Sequence, residues 1–325
     1  MYMCSEIIRR SVVQKFNEKY NWNCVNLDDL YNKIENLKEA NDIINNLKLC
    51  DPAVGSGHFL VSALNEIIAI KSDLGILCDR NGRKIKDWKA IVSNDELLIY
   101  NVETDDIFEY QTPKSERVTN KQVLQETLFH EKQTIIENCL FGVDINPNSV
   151  KICRLRLWIE LLKNAYYTKD SNYTELETLP NIDINIKEGN SLLSRFDLQK
   201  TTFTKFNRTL FETYKINVNL YKNEKFRNKR AEIKLNIENI KNQFKSIYED
   251  PFITEREKIN KEAEKLYKLN TNDLFGITNK DEKHKQDIED LEKNIVKLKS
   301  ELQNKIIEYE QIFFNAFEWR FEFPE

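Results

Sequence analysis

Residues 47–61 read LKLCDPAVGSGHFLV, and this stretch decides the fold. A short apolar run ends in Asp51, two closely spaced glycines follow, and a helical period of apolar residues then begins at Leu60. The pattern predicts a strand, a tight turn and a helix. Gly55 and Gly57 have no Cβ, so a ligand can approach the main chain there, and the start of the helix suits a carboxylate or phosphate. A glycine turn can also serve packing alone, so both interpretations stay open.

A second apolar run ends in an acid within residues 139–148, CLFGVDINPN. Asn146 as N-cap and Pro147 at the first helical position predict a helix directly after this strand. The repeat of strand, acid and helix is typical of a doubly wound parallel sheet. Asp144 can accept hydrogen bonds from both hydroxyls of a ribose, as acids at this position do in dinucleotide-binding folds. Its alternative role is that of a helix cap.

A third strand is predicted within residues 179–189, where apolar and polar residues alternate up to Gly189. Asn190 follows this strand. A side-chain amide can meet the exocyclic amine and a ring nitrogen of adenine together. The alternative is an Asn-Ser turn with no ligand.

The three segments together resemble a known enzyme family. Residues 51–60 (DPAVGSGHFL), 141–147 (FGVDINP), 155–158 (LRLW) and the end of the third strand are similar to the motifs of adenine-N6 DNA methyltransferases, in particular the large bacterial type IIG restriction-modification enzymes. The family has a cysteine where this sequence has Val54, a small apolar change. Residues 319–325 (WRFEFPE) resemble a segment that precedes the catalytic motif in that family.

The resemblance implies an α/β fold with a Rossmann-like class I methyltransferase sheet, and S-adenosyl-L-methionine (AdoMet) as cofactor. The cofactor-binding residues that it implies are Asp51, Pro52, Ala53, Gly55, Ser56, Gly57, Phe59, Asp144, Ile145, Asn190, Ser191 and Leu192. The implied function is methylation of adenine N6 in DNA, within a restriction-modification system.

The catalytic Asn-Pro-Pro-Tyr motif of that family does not occur in the sequence, so no catalytic residue is predicted. Asn146-Pro147-Asn148 lacks the second proline and the aromatic residue, and fits a helix cap better. The family's Tyr-Thr-Pro segment before the first helix is also absent. We therefore expect a piece of a larger enzyme that holds the AdoMet half of the site. Two alternatives remain: a non-catalytic coiled-coil interaction protein with a relic AdoMet fold, and an RNA or small-molecule methyltransferase.

Charge and composition limit the partners. The 325 residues carry 49 basic and 53 acidic side chains, a net charge of −4, without a basic stripe. We therefore expect double-stranded DNA to be contacted through parts of the parent enzyme outside this chain.

Six cysteines without a Cys-x-x-Cys pair and three histidines predict no zinc site, and Cys50, Cys139 and Cys153 are expected in the core. Because no signal peptide and no run of 18 apolar residues occurs, a bacterial cytoplasmic location without membrane contact is expected.

The sequence divides into five parts. Helices are predicted in residues 1–48, over 1–20 and 27–47, and the AdoMet-binding core in 49–74 and 116–200. Residues 75–115 are predicted to form a β-hairpin insertion with turns at Asn81-Gly82 and Asn94-Asp95. A structural role is expected for it, with a DNA-facing role for Arg80, Arg83 and Lys84 as the alternative.

Heptad spacing over 233–247 and 288–302 predicts an antiparallel coiled-coil hairpin of those two helices within 201–312. Residues 313–325 are expected to start the next core strand, with alternation from Trp319 to Phe323.

Overall fold

The computed structural model describes residues 2–110, 119–194, 205–224, 226–246, 251–274 and 282–323. The helices are α1 (Tyr2–Tyr20), α2 (Leu27–Tyr31), α3 (Leu37–Asn45), α4 (His58–Asp73), α5 (Asn120–Asn138), α6 (Pro147–Leu162), α7 (Lys205–Asn223), α8 (Arg227–Ser246), α9 (Ile253–Leu274), α10 (Glu282–Ile312) and α11 (Trp319–Glu322). The strands are β1 (Leu49–Asp51), β2 (Trp88–Ser93), β3 (Glu96–Asn101), β4 (Leu140–Asp144) and β5 (Ile186–Glu188), and a 3-10 turn spans Lys169–Ser171. Within these residues, no helix is long and apolar enough to cross a membrane.

The fold is mixed α/β around a small parallel sheet of order β1-β4-β5. Asp51 pairs with Gly142 and Asp144 pairs with Glu188, so the three strands end at one carboxyl edge. The third strand is shorter than predicted, because residues 183–185 form a turn. Buried Asn185 holds this turn by donating from Nδ2 to the carbonyls of Glu137 at 2.9 Å and Leu140 at 3.0 Å.

Helix α4 lies at the centre of the hydrophobic core. Its predicted apolar face is fully buried, with Leu60, Ala63, Leu64, Ile67 and Ile68 at 0% exposure. The helix packs against α1, α5, α6, β4 and the β2–β3 hairpin. Buried charges on α4 are paired: the amine of Lys71 donates to Glu131 Oε2 and to Asn45 Oδ1, both at 2.5 Å.

Two predictions for the region before and within β1 are wrong. The single helix predicted over 27–47 is two helices, because the Asn36 side chain caps α3 by accepting from the Glu39 N–H at 3.1 Å. Cys139 and Cys153 are buried as predicted, but Cys50 is exposed. Cys50 lies on β1, a strand with one partner in the described sheet, and its side chain is on a face that the core does not cover.

The predicted hairpin at Asn94-Asp95 is present as β2 and β3. Both turn residues have positive φ, as two-residue hairpin turns require. The hairpin lies on α4, where Ala90 N donates to Ser72 Oγ at 2.9 Å. The turn at Asn81-Gly82 is closed by one antiparallel bridge, between Cys78 and Lys84. Its Arg80 donates to the Tyr166 hydroxyl at 2.6 Å, which favours the structural role.

The predicted pairing of the two heptad segments is wrong. Helix α8 pairs with α7 and α10 pairs with α9, so these four helices form two successive helical hairpins. The α7–α8 hairpin encloses a small core of its own, formed by Leu210, Tyr214, Val218, Tyr221, Ile237 and Ile240. The connection between α7 and α8 is short, and short connections make neighbouring helices antiparallel partners.

The strand predicted from Trp319 to Phe323 is a short helix, α11. The rings of Trp319 and Phe323 are 6.1 Å apart, whereas a strand would separate residues four apart by about 13 Å. The chain nevertheless contacts the sheet just before α11, where Ala316 forms a parallel bridge with Asn190 beyond the end of β5.

Candidate functional site

The glycine turn between β1 and α4 is fixed by β4 and by α6. Val54 N donates to the Val143 carbonyl at 2.8 Å, and Gly57 N donates to the Val54 carbonyl at 2.9 Å. Gly57 has a φ of +83°, and a Cβ there would lie 2.7 Å from Cys153 Sγ. Burial raises the pKa of the Cys153 thiol to about 12, so the thiol is a neutral packing partner. Position 57 therefore accepts only glycine without a rearrangement of α6.

Gly55 faces the other way. It has a φ of +54°, and the nearest atom to a Cβ built there is the Ala53 carbonyl oxygen at 3.9 Å, so the turn is open on this side. Its N–H donates to Asp144 Oδ2 at 2.8 Å. Gly57 is the N-cap of α4 and offers no side-chain acceptor to the first N–H groups of that helix. The turn thus presents main chain to open space beside a helix N-terminus.

Asp144 connects all three sequence motifs. Its Oδ2 accepts from Gly55 N, its Oδ1 accepts from Asn146 N at 2.8 Å, and its carbonyl accepts from Gly189 N at 2.9 Å. The cap of α6 is Asn146, which accepts from Asn148 N at 2.9 Å, so capping does not by itself account for Asp144. Each carboxylate oxygen accepts one of these bonds and keeps a further lone pair, and Asp144 is partly exposed.

Asn190 lies two residues beyond β5. Its Oδ1 accepts from Leu192 N at 3.0 Å, so the predicted turn is present. Its Nδ2 makes no hydrogen bond within the described part of the chain, which leaves two donors for another group. The main chain of Asn190 is bonded on both sides to residues 315–317, with N to the Asn315 carbonyl at 2.5 Å and O to Phe317 N at 3.1 Å.

Three large apolar side chains at this edge are exposed. Ile145 is 58% exposed, Leu192 is 92% exposed and Phe59 is 36% exposed. They follow the carboxyl ends of β4, β5 and β1 respectively, where ligands bind in open α/β sheets. Pro52 and Ala53 are exposed at the same edge, and Asp51, Ser56 and Ser191 are partly exposed. Exposed apolar groups beside convergent polar groups are typical of a ligand site.

Other residues that hold the site were not predicted individually. Arg156 Nη1 donates to Ser56 Oγ at 3.4 Å, and Arg154 Nε donates to the Ile186 carbonyl at 3.0 Å. Trp319 Nε1 donates to the Ser191 carbonyl at 3.0 Å. The LRLW and WRFEFPE resemblances pointed to these segments, but nothing in the sequence gave their contacts.

A cavity of about 480 Å³ lies away from this edge, between α1, α4 and β2. The charged groups that line it are paired with each other: Arg9 Nε contacts Glu66 Oε1 at 2.5 Å and Arg9 Nη1 contacts Asp73 Oδ2 at 3.4 Å. The carboxyl edge of the sheet is therefore the better candidate for a ligand.

Comparison with known proteins identifies the family of the chain. Residues 27–316 match the family described as the DNA-methyltransferase domain of MmeI. The chain is 30% identical over 209 residues to RM.MjaORFECS2P of Methanocaldococcus jannaschii, named as a type II restriction enzyme and methyltransferase; the match covers 60% of the chain and 14% of that protein. It is 27% identical over 168 residues to the type II restriction enzyme and methyltransferase RM.Eco57I of Escherichia coli, covering 51% of the chain and 13% of that protein.

The aligned part is thus about one seventh of the length of these relatives. No solved structure matches the chain significantly. The family match extends over most of the sequence and includes the glycine turn, Asp144 and Asn190. The resemblance to type IIG restriction-modification methyltransferases is confirmed, and the chain belongs to the MmeI DNA-methyltransferase domain family.

Proposed function

We propose that this chain binds AdoMet at the carboxyl edge of its parallel sheet, and that the sheet is part of a Rossmann-like class I methyltransferase fold. The observation that carries the proposal is the position of Asp144, which bonds to the glycine turn, to the start of α6 and to the residue before Asn190. Three motifs that are far apart in sequence therefore meet at one residue, two of them at its carboxylate and the third at its main-chain carbonyl. Methyltransferases of this class use AdoMet, and family membership supports the assignment.

The residues present fit the cofactor. Asp144 would accept from the ribose hydroxyls with its remaining lone pairs, and Asn190 Nδ2 would donate to a ring nitrogen of the adenine. Ile145 and Leu192 would pack on the faces of the base. The open side of Gly55 and the start of α4 would receive the methionine end, whose carboxylate suits a helix N-terminus. Bound AdoMet would supply the electrophilic methyl group.

We further propose that the whole protein methylates adenine N6 in double-stranded DNA, as part of a restriction-modification system. The family description and the names of both relatives support a DNA methyltransferase. Chemistry on a base requires that it be flipped from the duplex and held by stacking and by hydrogen bonds to its amino group. Since the Asn-Pro-Pro-Tyr motif does not occur in this sequence, the proposal assigns the cofactor half of the site to this chain.

Isothermal titration with AdoMet and with S-adenosylhomocysteine tests the cofactor assignment. We expect binding by the wild type, and for Asp144→Ala an affinity lower by about ten- to a hundredfold, since hydrogen bonds to a charged group contribute about 1.5–3 kcal/mol each. Gly57→Val should abolish binding, because the new side chain meets Cys153.

Two matched controls separate the site from general damage. Gly82→Val places the same side chain at another positive φ, +75°, where nothing lies within 4 Å of the Cβ. Asp42→Ala removes an exposed acid from α3. Both should bind AdoMet as the wild type does. A folded wild type that binds neither compound contradicts the cofactor assignment. Transfer by the whole protein to cytosine, RNA or protein instead of adenine N6 contradicts the substrate assignment.

A further inference from the structure

Glu322 joins three separate parts of the fold. Its Oε2 accepts from Lys187 Nζ on β5 and from Lys241 Nζ on α8, each at 2.8 Å. Its carbonyl also accepts from Lys187 Nζ at 2.6 Å. One carboxylate thus connects the sheet, the α7–α8 hairpin and the segment that ends in α11.

The three side chains of this contact, Lys187, Lys241 and Glu322, are largely buried and together carry two positive charges and one negative charge. The side chains of Lys187, Lys241 and Glu322 are 11%, 7% and 22% exposed. Burial by itself raises the pKa of Glu322, but the two lysines outweigh it and lower the pKa to about 2. Lys241 also reaches Glu238 at 3.3 Å, and that acid is half exposed. Without the charge of Glu322, two neighbouring buried ammonium groups would repel each other across the contact between β5 and α8.

The segment that carries Glu322 also holds residues 190–194, which include the proposed adenine contacts. Phe317 N donates to the Asn190 carbonyl at 3.1 Å and to the Leu193 carbonyl at 3.0 Å. Trp319 Nε1 donates to the Ser191 carbonyl, and Ser194 Oγ donates to Glu318 Oε2 at 2.9 Å. The Phe317 ring leaves no room for a side chain at Gly189, where a Cβ would lie 2.7 Å from Cδ2. Residues 190–194 are therefore fixed by the terminal segment on one side.

The α7–α8 hairpin has a second, separate attachment to the core. The Tyr221 hydroxyl donates to Asp183 Oδ2 at 2.6 Å, and Lys222 Nζ donates to the Glu137 carbonyl at 2.6 Å. This attachment lies before β5, at the amino edge of the sheet. When the contact of Lys241 with Glu322 is broken, the hairpin therefore stays connected to the core at this attachment. A remaining contact with the terminal segment is the Tyr214 hydroxyl, which donates to the Glu322 carbonyl at 3.4 Å.

We propose that Glu322 is a positioning residue that couples the α7–α8 hairpin to the cofactor loop at residues 190–194. A displacement of α8 changes the position of Lys241, Glu322 transmits the change to the terminal segment, and residues 315–319 transmit it to Asn190. The proposal rests on the AdoMet function proposed above, and adds that the helical hairpin regulates that site from a distance.

Lys241→Met tests the coupling with little risk to folding, since it leaves the pair of Lys187 and Glu322 intact. We expect AdoMet affinity to fall by about fivefold, the low end of usual coupling between sites. Hydrogen exchange at the Leu192 and Leu193 amides should become faster, although α8 lies on the far side of the terminal segment. Glu238→Gln is the matched control: it removes the exposed partner of Lys241 and should change neither quantity. Glu322→Gln should reproduce both effects, and Glu322→Asp should partly restore them.

The two readouts separate the possible failures. If Lys241→Met lowers thermal stability but leaves AdoMet affinity and the exchange of residues 190–194 unchanged, the contact is only structural and the coupling is overturned, while the cofactor assignment stands. If the wild type does not bind AdoMet, the cofactor assignment fails. Hydrogen exchange then still decides whether α8 and residues 190–194 are coupled, because that measurement needs no ligand.

Discussion

The two helical hairpins of this protein differ in length and in how they are held: α7 and α8 have 19 and 20 residues, and α9 and α10 have 22 and 31. The α7–α8 hairpin has six buried apolar residues and a buried ion cluster at Glu322. In the described parts of α9 and α10, Ile259 and Ile295 are the buried apolar residues, and the ion pair of Lys305 with Glu255 at 2.8 Å lies at the surface. Buried charges that are paired are costly to disrupt, whereas exposed pairs contribute little. We therefore expect the first hairpin to unfold together with the methyltransferase core. The second hairpin is expected to unfold separately, at a lower free energy.

Breaking the buried cluster should give the largest effect. Glu322→Ala leaves Lys187 and Lys241 buried without their shared partner, and we expect a loss of about 3–5 kcal/mol in the free energy of unfolding. Urea unfolding followed by circular dichroism measures it. The comparison variant is Glu255→Ala in the second hairpin, which should leave the unfolding midpoint unchanged. Equal losses in the two variants would contradict the distinction between the hairpins.

Acid should weaken the first hairpin through the same group. The pKa of Glu322 is lowered from 4.5 to about 2 in the folded protein. Its contribution is therefore fully present above about pH 4.5 and is lost as the pH falls towards 2. A shift of this size corresponds to about 3 kcal/mol. Unfolding free energies measured at pH 6 and pH 3 should differ by less in Glu322→Gln than in the wild type, and an unchanged pH dependence would exclude this assignment.

A core truncation in each hairpin gives the smallest difference but shows whether the hairpins unfold separately. Ile237→Ala in α8 and Ile295→Ala in α10 remove similar buried side chains, at 4% and 7% exposure, and each should cost about 2 kcal/mol or more locally. We expect Ile237→Ala to shift the main unfolding transition. Ile295→Ala should accelerate hydrogen exchange in α9 and α10 while the main transition stays in place. A shift of the main transition by both variants would mean that the hairpins unfold together.

The parts of this fold that were predictable from sequence are those fixed by local chemistry. Asn146 and Pro147 specify the start of α6 in two adjacent residues, and the φ of Gly57 needs a residue without a Cβ. Gly189, after a run of alternating apolar and polar residues, marks the end of β5 in the same local way. The candidate site lies at these positions, so the turn and the strand ends that form it could be predicted from the sequence.

What could not be predicted depends on contacts between distant residues. Heptad spacing in α8 and α10 shows an apolar face but does not say which helix covers it, so the pairing was predicted wrongly. The alternation from Trp319 to Phe323 resembles a strand, but the segment is the helix α11, in which Glu322 contacts Lys187 and Lys241. No local rule places a lysine of β5 beside a lysine of α8.

The proposed AdoMet site lies where Asp144 joins the glycine turn to Gly189, the residue before Asn190. Amide chemical shifts of the ¹⁵N-labelled chain, recorded while AdoMet is added, test it most directly. We expect saturable shifts at the Gly55 amide, at the Gly189 amide and at the Asn190 side-chain amide, with none around the cavity between α1, α4 and β2. Shifts confined to that cavity, or none at all in the folded protein, would contradict it.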